Sequence, residues 1–262
     1  CRRCTQSVIR AVLPGDSLFA PSAAGPDPYG AIHTARWELY GRGAGSPRFW
    51  RTPKADGVLS LSGDTLVLSG RFSDSEELAA FCAICGAKTL RGPASALAET
   101  AARLNWPIQS RQILSAVGVL RPTPIPPGIC EPSPREVYPL LQGVFDLPEA
   151  DFAPWYCEVS HKLRHQQGTL LGVREEGQII ATAGIYHQNK QAALIGSVAT
   201  HPAFRKRGYA AALVFLLAAR AQESGRIPFV ICQNAQAVRV YERVGFTPWG
   251  EEWLCLRDGL AE

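Results

Sequence analysis

The sequence predicts an α/β fold in two parts, and three observations carry the prediction. Short β-prone runs alternate with helical segments along most of the 262 residues, the order that builds layered sheet-and-helix domains. Hydrophobic residues make up 46% and charged residues 19%, enough apolar material for a packed core and too much for a disordered chain. Residues 121–134 hold six prolines. Such a segment cannot run as helix or central strand, so it reads as an extended linker between domains 1–120 and 135–262.

In the first part, Val8–Leu13 reads as a helix end, residues 20–30 as loop, and Trp37–Tyr40 and Phe49-Trp50 as short strands. Val58–Ser62 and Thr65–Ser69 flank Gly63-Asp64 and form a predicted hairpin. Ser73 and Glu76 have capping-box spacing. The helix they open carries Leu78, Phe81, Cys82 and Cys85 on one face and stops at Gly86. Strand 88–91, helix 94–104 started by Pro93, and strand 112–119 follow.

In the second part, 135–145 and 153–165 read as helices, and 170–174 and 178–186 as strands about Glu176-Gly177. Strand 192–200 is small and apolar throughout, which suits burial on both faces. Helix 208–224, strand 229–232, helix 235–244 and one or two strands over 246–256 complete the chain.

The net charge of +4, with a pI near 8.7, is too small to point to nucleic acid. No apolar run reaches the roughly 18–20 residues of a membrane span, and the start Cys1-Arg2-Arg3-Cys4 lacks the pattern of a secretory signal. The eight cysteines therefore read as free thiols in a reducing compartment, and the chain as cytoplasmic.

The informative stretch is strand 192–200, the turn 201–207 and the helix from Gly208. A helix start exposes unpaired N–H groups and the positive end of a dipole. Three cations, Arg205, Lys206 and Arg207, precede it; Gly208 removes a Cβ, and Ala210 keeps the first turn slim beside the larger Tyr209. This is a pyrophosphate cradle built from main chain, or else an ordinary strand–helix joint with solvated charges.

The next segment decides between these. The turn fits Arg/Gln-x-x-Gly-x-Gly/Ala, and Asn234, Ala237, Tyr241, Glu242, Gly245 and Phe246 fit Asn-x-x-Ala-x-x-x-Tyr-Glu-x-x-Gly-Phe. With these two motifs in order and a strand between them, residues 135–256 resemble the GCN5-related N-acetyltransferase (GNAT) superfamily. The resemblance implies a mixed sheet whose fourth and fifth strands splay apart to hold acetyl-CoA. Val198, Ala199 and Thr200 would pair with its pantetheine arm, the amides from Arg205 to Ala210 would hold its pyrophosphate, and Asn234 would touch the arm from the other side. It implies an N-acetyltransferase acting on a primary amine, small-molecule or peptide, with Tyr241 protonating the departing thiolate. The alternative is a catalytically silent acyl-CoA-binding or protein-interaction module, because strand 192–200 has no acid to serve as base. Glu158, His161, His165, Tyr186 and His187 are base candidates by location. The acceptor and the oligomeric state are not written in the sequence.

Residues 37–119 repeat the element order of the second half but lack both motifs. They read as a degenerate GNAT-like copy without a cofactor site. Cys1-x-x-Cys4 with Cys82-x-x-Cys85 could make a four-cysteine zinc site. However, Cys82 and Cys85 lie on an apolar helix face, so no metal is expected. His161 and His165 lack the glutamate of His-Glu-x-x-His and read as a solvated face.

Overall fold

The computed structural model describes residues 9–13, 16–18, 26–40 and 48–257. Along the chain the elements are β1 (Arg10–Ala11), α1 (Pro28–Tyr40), β2 (Arg48–Arg51), β3 (Gly57–Ser62), β4 (Thr65–Gly70), α2 (Ser75–Ile84), β5 (Thr89–Pro93), α3 (Ala94–Leu104) and β6 (Ile108–Ser115). Then come β7 (Ile129–Cys130), α4 (Pro134–Phe145), α5 (Phe152–Arg164), β8 (Thr169–Glu175), β9 (Gln178–Gln188), β10 (Ala192–Thr200), α6 (Tyr209–Glu223), β11 (Ile227–Cys232), α7 (Ala235–Val244) and β12 (Thr247–Leu256). The chain divides into two compact units, residues 1–112 with 250–262, and residues 113–249.

In unit one the strand order is β1-β2-β3-β4-β5-β12. The first four strands pair antiparallel, β4 and β5 pair parallel across α2, and β12 returns antiparallel to β5, Glu252 opposite Pro93. Leu59, Leu66, Leu68, Leu78, Leu90 and Leu97 make its core with Cys82 and Cys255. The tail residues thus complete the first unit.

Several local expectations are corrected here. The stretch from Pro28 to Tyr40 is one helix, although its start was expected as loop and Trp37–Tyr40 as strand. Asp27 decides this: its carboxylate accepts from the Tyr29 and Gly30 amides, and Tyr29, Ile32 and Ala35 are buried. That tertiary burial overrides the β preference of the aromatics. Arg10–Ala11 is strand rather than helix, paired with Arg51 and Trp50. The N-cap of α2 is Asp74, not Ser73; its side chain accepts from Glu77 N at 2.9 Å. The strand expected at 112–119 lies at 108–115, and Val119 is 93% exposed. The Cys1–Cys4 pair, Val8 and most of the loop expected before residue 26 lie outside the described residues.

In unit two the order is β6-β11-β10-β9-β8-β7. The β10–β11 pair is parallel, while β9 pairs antiparallel with β10 and β8, as does β8 with β7. The sheet is mixed. One cluster packs Leu213, Leu217 and Val244 of α6 and α7 with Ala193, Ile195 and Val230; another packs Val137, Leu141 and Val159 of α4 and α5 with Leu170, Tyr186 and Ala199. A true capping box, Ser133 with Glu136, starts α4. The proline-rich segment is not a free linker. Arg121 N donates to Val244 O, Arg174 N to Gly128 O, and Ile129 and Cys130 pair with β8. Proline leaves the backbone few donors, and the residues between the prolines supply these bonds.

Candidate functional site

Strands β10 and β11 pair from Ala192↔Ile227 to Ile195↔Val230, and there the ladder stops. Beyond it, β10 keeps only its pairing to β9. The result is a fork that opens toward the carboxyl ends of two parallel strands, where α/β sheets bind ligands. His201 N donates to Ile180 O at 2.8 Å. Bonded and non-bonded pairs alternate in an antiparallel ladder. The main chain of Ala199 is therefore spent on Thr182, while Thr200 turns its N–H and C=O groups away from β9. Thr200 Oγ1 is buried without a partner. A bulge separates Gly196 from Ala199, and Ser197 takes φ +52°.

Next comes the turn. Pro202–Phe204 form one 3₁₀ turn, capped by His201 Nδ1 accepting from Ala203 N at 3.3 Å. Lys206 has φ +65° and Gly208 φ +84°. Alternating left-handed residues turn successive amides inward, a backbone concavity suited to anions. Gly208 is the N-cap of α6, and no side chain caps the helix. The amides of its first turn lack intrahelical partners. A Cβ on Gly208 would meet nothing within 4 Å among the described residues. Its cations are exposed. Arg205 Nε donates back to Thr200 O at 3.2 Å, and the Arg207 guanidinium lies 5.1 Å from the Phe204 ring centre. Tyr209 turns aside, its hydroxyl 3.4 Å from Glu175 Oε2. This leaves slim Ala210 at the helix mouth.

On the opposite side, Asn234 is the N-cap of α7, its Oδ1 accepting from Gln236 N at 2.7 Å. A capping role already explains that residue type; its side-chain N–H groups stay available. Tyr241 is 5% exposed and packs with Phe246. Burial, then the neighbouring Cys232 at the end of β11, push its hydroxyl pKa up. The Cys232 thiol is itself pushed up to about 11 by burial. The structure thus brings Tyr241 to the last residue of β11, beyond the fork point.

The base candidates separate. His161 and His165 stack on each other, 4.4 Å between ring centres, and burial lowers the pKa of His161. The Lys162 ammonium, wholly buried, contacts the Glu158 carboxylate and lies 3.3 Å from His187 Nδ1. Sequence reasoning missed Lys162, because a lysine on a helix otherwise reads as a solvated residue. Among the described residues no group of three or more His, Cys, Asp or Glu side chains is placed to hold a metal ion. Nor is any described helix long and apolar enough to cross a membrane.

A parallel fork here leads into an uncapped, basic, glycine-flanked helix start, and α/β sheets bind ligands at such strand ends. Residues 135–246 match the sequence model of the Acetyltransferase (GNAT) family, and this stretch of the chain is a GNAT domain. The family is one of acyltransferases. The whole fold is similar to a GCN5-related N-acetyltransferase from Kribbella flavida, with TM-score 0.57, 18% identity, and 86% of this chain and 95% of that one covered. It is also similar to a GNAT-family acetyltransferase from Colwellia psychrerythraea, with TM-score 0.56, 14% identity, and 95% and 98% covered. A third likeness is to a tandem GNAT protein from the clavulanic acid biosynthesis pathway, with TM-score 0.53, 13% identity, and 90% and 96% covered. At these identities the likeness is one of fold. Comparison with curated proteins gives no match.

Proposed function

We propose that this protein is an N-acetyltransferase that moves the acetyl group of acetyl-CoA to a primary amine, of a small molecule or a peptide, by direct attack. The observation that carries the reading is the open cradle: Lys206 and Gly208 in left-handed conformation, followed by a helix start without a side-chain cap. A set of inward amides fits a diphosphate. The main chain from Arg205 to Ala210 would hold it, Val198 and Thr200 would hydrogen-bond an extended arm along the fork, and the Asn234 amide group would reach the arm from α7.

Acetyl-CoA, when bound, supplies an acyl group activated as a thioester. The chain binds, orients and holds protons around it. An N–H such as that of Val198 would steady developing charge on a carbonyl oxygen. A tyrosine hydroxyl carries its proton through the neutral range. Tyr241 would give that proton to the departing thiolate, although burial raises its pKa and makes the proton harder to release. The acceptor amine must be neutral to attack. Because β10 carries no carboxylate, the proton leaves through water or through another of the polar groups near β9.

Unit one is, in this reading, a second copy of the fold without a cofactor site. The six described cysteines are free thiols, which fits a reducing, cytoplasmic setting.

The test is a calorimetric titration of the intact protein with acetyl-CoA, followed by thiol-release assays over a panel of amines for wild type and Tyr241→Phe. No binding would overturn the reading. Binding without turnover of any amine would favour the silent acyl-CoA module instead, which the acid-free β10 also suits. Turnover that drops sharply in Tyr241→Phe supports the enzyme.

A further inference from the structure

One ionisable side chain of unit two has no part in the chemistry above. Lys162, near the end of α5, is wholly buried. A buried lysine needs a partner for its charge. Glu158, one turn earlier on the same helix and partly exposed, supplies it: its carboxylate contacts the ammonium. The ammonium also lies 3.3 Å from Nδ1 of His187 on β9. An ammonium has three donors and no acceptor. The Nδ1 atom that faces it must therefore accept, and it carries no proton. That leaves the His187 ring neutral, with its one N–H at Nε2.

The place of this ring gives the neutral form a use. His187 pairs with Leu194 across β9 and β10, and Leu194 pairs with Phe229 across β10 and β11. Directly opposed side chains share one face of a sheet, so the three form a row. Ala193 and Ile195, on either side of Leu194, pack in the cluster of α6 and α7. Successive residues alternate between faces. The row therefore lies on the other face, where α5 brings Lys162. The β10–β11 ladder ends at Ile195↔Val230, one position beyond the row. His187 thus sits at the closed, inner end of the fork, away from the mouth at the start of α6. A cosubstrate anchored at the mouth would reach inward toward this row, and the amine would meet it there. Residues 192–195 of β10 and 227–230 of β11 carry no titratable side chain. On α4, Glu136 is bonded to Arg174 and Arg135 lies over the Tyr156 ring. On α5, His161 stacks on His165. Tyr186, next to His187 on β9, is buried; Lys190 beyond the strand is exposed, and Arg226 donates to Asn189 O. Among the described residues, the charges brought to His187 are those of Lys162 and Glu158.

We propose that Lys162 is a positioning residue that holds His187 as a neutral hydrogen-bond donor at the inner end of the fork, and that His187 serves the incoming amine substrate through its Nε2–H rather than as the base that takes its proton. This deepens the N-acetyltransferase reading above and rests on it. It removes His187 from the base candidates, so the proton of the attacking amine leaves to water. It also explains a buried lysine: an ammonium at Nδ1 keeps a second proton off the ring, and the inner end of the fork gains no positive charge that would repel an amine.

The experiment uses the full chain. For an amine that turns over, kcat/KM is measured from pH 6 to 9 for wild type, His187→Ala and His187→Gln. A lost hydrogen bond corresponds to about tenfold, and a lost general base to roughly 10²–10⁴. His187→Ala should lose about tenfold at every pH and keep the wild-type shape of the profile. His187→Gln, which keeps an N–H at similar reach, should recover most of that loss. Histidine-ring NMR reads Lys162 directly. In wild type the His187 ring should carry its proton on Nε2 and stay neutral as pH falls from 8 to 6; in Lys162→Met it should take a second proton near the ordinary ~6.5. A loss of a hundredfold or more in both His187 variants, with the acid limb of the profile gone, would make His187 the base and overturn the proposal. So would no loss in His187→Ala, an Nδ1–H ring in wild type, or a ring that titrates alike with and without Lys162. Calorimetry with acetyl-CoA keeps the two readings apart: wild type that binds no acetyl-CoA, or turns over no amine, would overturn the N-acetyltransferase reading itself.

Discussion

Each unit holds one parallel strand pair joined by a helix, and the two pairs are built alike up to the point where a ligand would enter. In unit two, β10 and β11 separate after Ile195, Gly196 stays open, and α6 starts at a glycine without a side-chain cap. In unit one, β4 and β5 pair over Thr65–Val67, but a Cβ at Gly92 would already lie 3.0 Å from Leu68 O. The start of α2 is stopped by the Asp74 carboxylate and carries Glu76 and Glu77 in its first turn. The helix start that is proposed to attract an anion in unit two is, in unit one, already satisfied by a carboxylate. Topology alone does not make a phosphate site. The amides must also be left unpaired and the neighbouring charge must be positive.

The largest test transplants this difference. Gly208→Asp puts a carboxylate and a strained left-handed residue into the cradle. It should weaken acetyl-CoA binding by on the order of a hundredfold or more, measured by calorimetry, since both a charge and a conformation oppose the ligand. If affinity survives, the cradle is not the anchor. Next, Tyr241→Phe should lower kcat by roughly 10²–10⁴, the range for loss of a general acid, while the Kd for acetyl-CoA stays within a factor of two. A joint loss of binding would mark Tyr241 as a packing residue.

A third test uses protonation, which separates the units. In unit one, burial and then Arg36 hold the His33 pKa down, from 6.5 to about 3. The unfolded chain therefore takes the proton first. The stability linked to neutral His33 is complete above pH 6.5 and is lost as pH falls toward 3. Asp27 runs the other way: burial lifts it from 3.8 to about 6, so its contribution is complete below 3.8 and fades as pH rises through 6. Urea midpoints from pH 8 to 4 should fall below about 6.5, where an unperturbed histidine titrates. The fall should be steeper in Asp27→Asn and shallower in His33→Gln. A profile unmoved by His33→Gln would refute the assignment.

The smallest effect is the converse transplant. Asp74→Ala should cost about 0.5–2 kcal/mol of stability through the lost cap, read from denaturant unfolding. It should add no second acetyl-CoA per chain, because Leu68 still closes the fork. Two ligands per chain would show that the cap alone keeps unit one silent.

The residues of the proposed site carry signals in the sequence that are local. The cations 205–207, Gly208 and the Asn234–Phe246 run announce a cradle through residue types that only a few backbone conformations use. Helices α3, α6 and α7 were legible from glycine and proline punctuation together with apolar spacing. Where the reading failed, distant partners decide. The helix α1, although its Asp27 cap is local, depends on burial of Tyr29, and β1 depends on β2. Lys162 was unreadable because only the fold buries the ammonium and brings His187 to it, although its i,i+4 partner Glu158 is local.

Composition, turn chemistry and short motifs were enough to establish an α/β chain with a basic, glycine-flanked helix start in its second half, since each rests on interactions between near neighbours. Which strand completes which unit, where the β10–β11 ladder ends, and which face of Gly196 is left open were decided by tertiary packing. These are pairings between residues far apart in the chain, and no local preference encodes a register or an unfilled space.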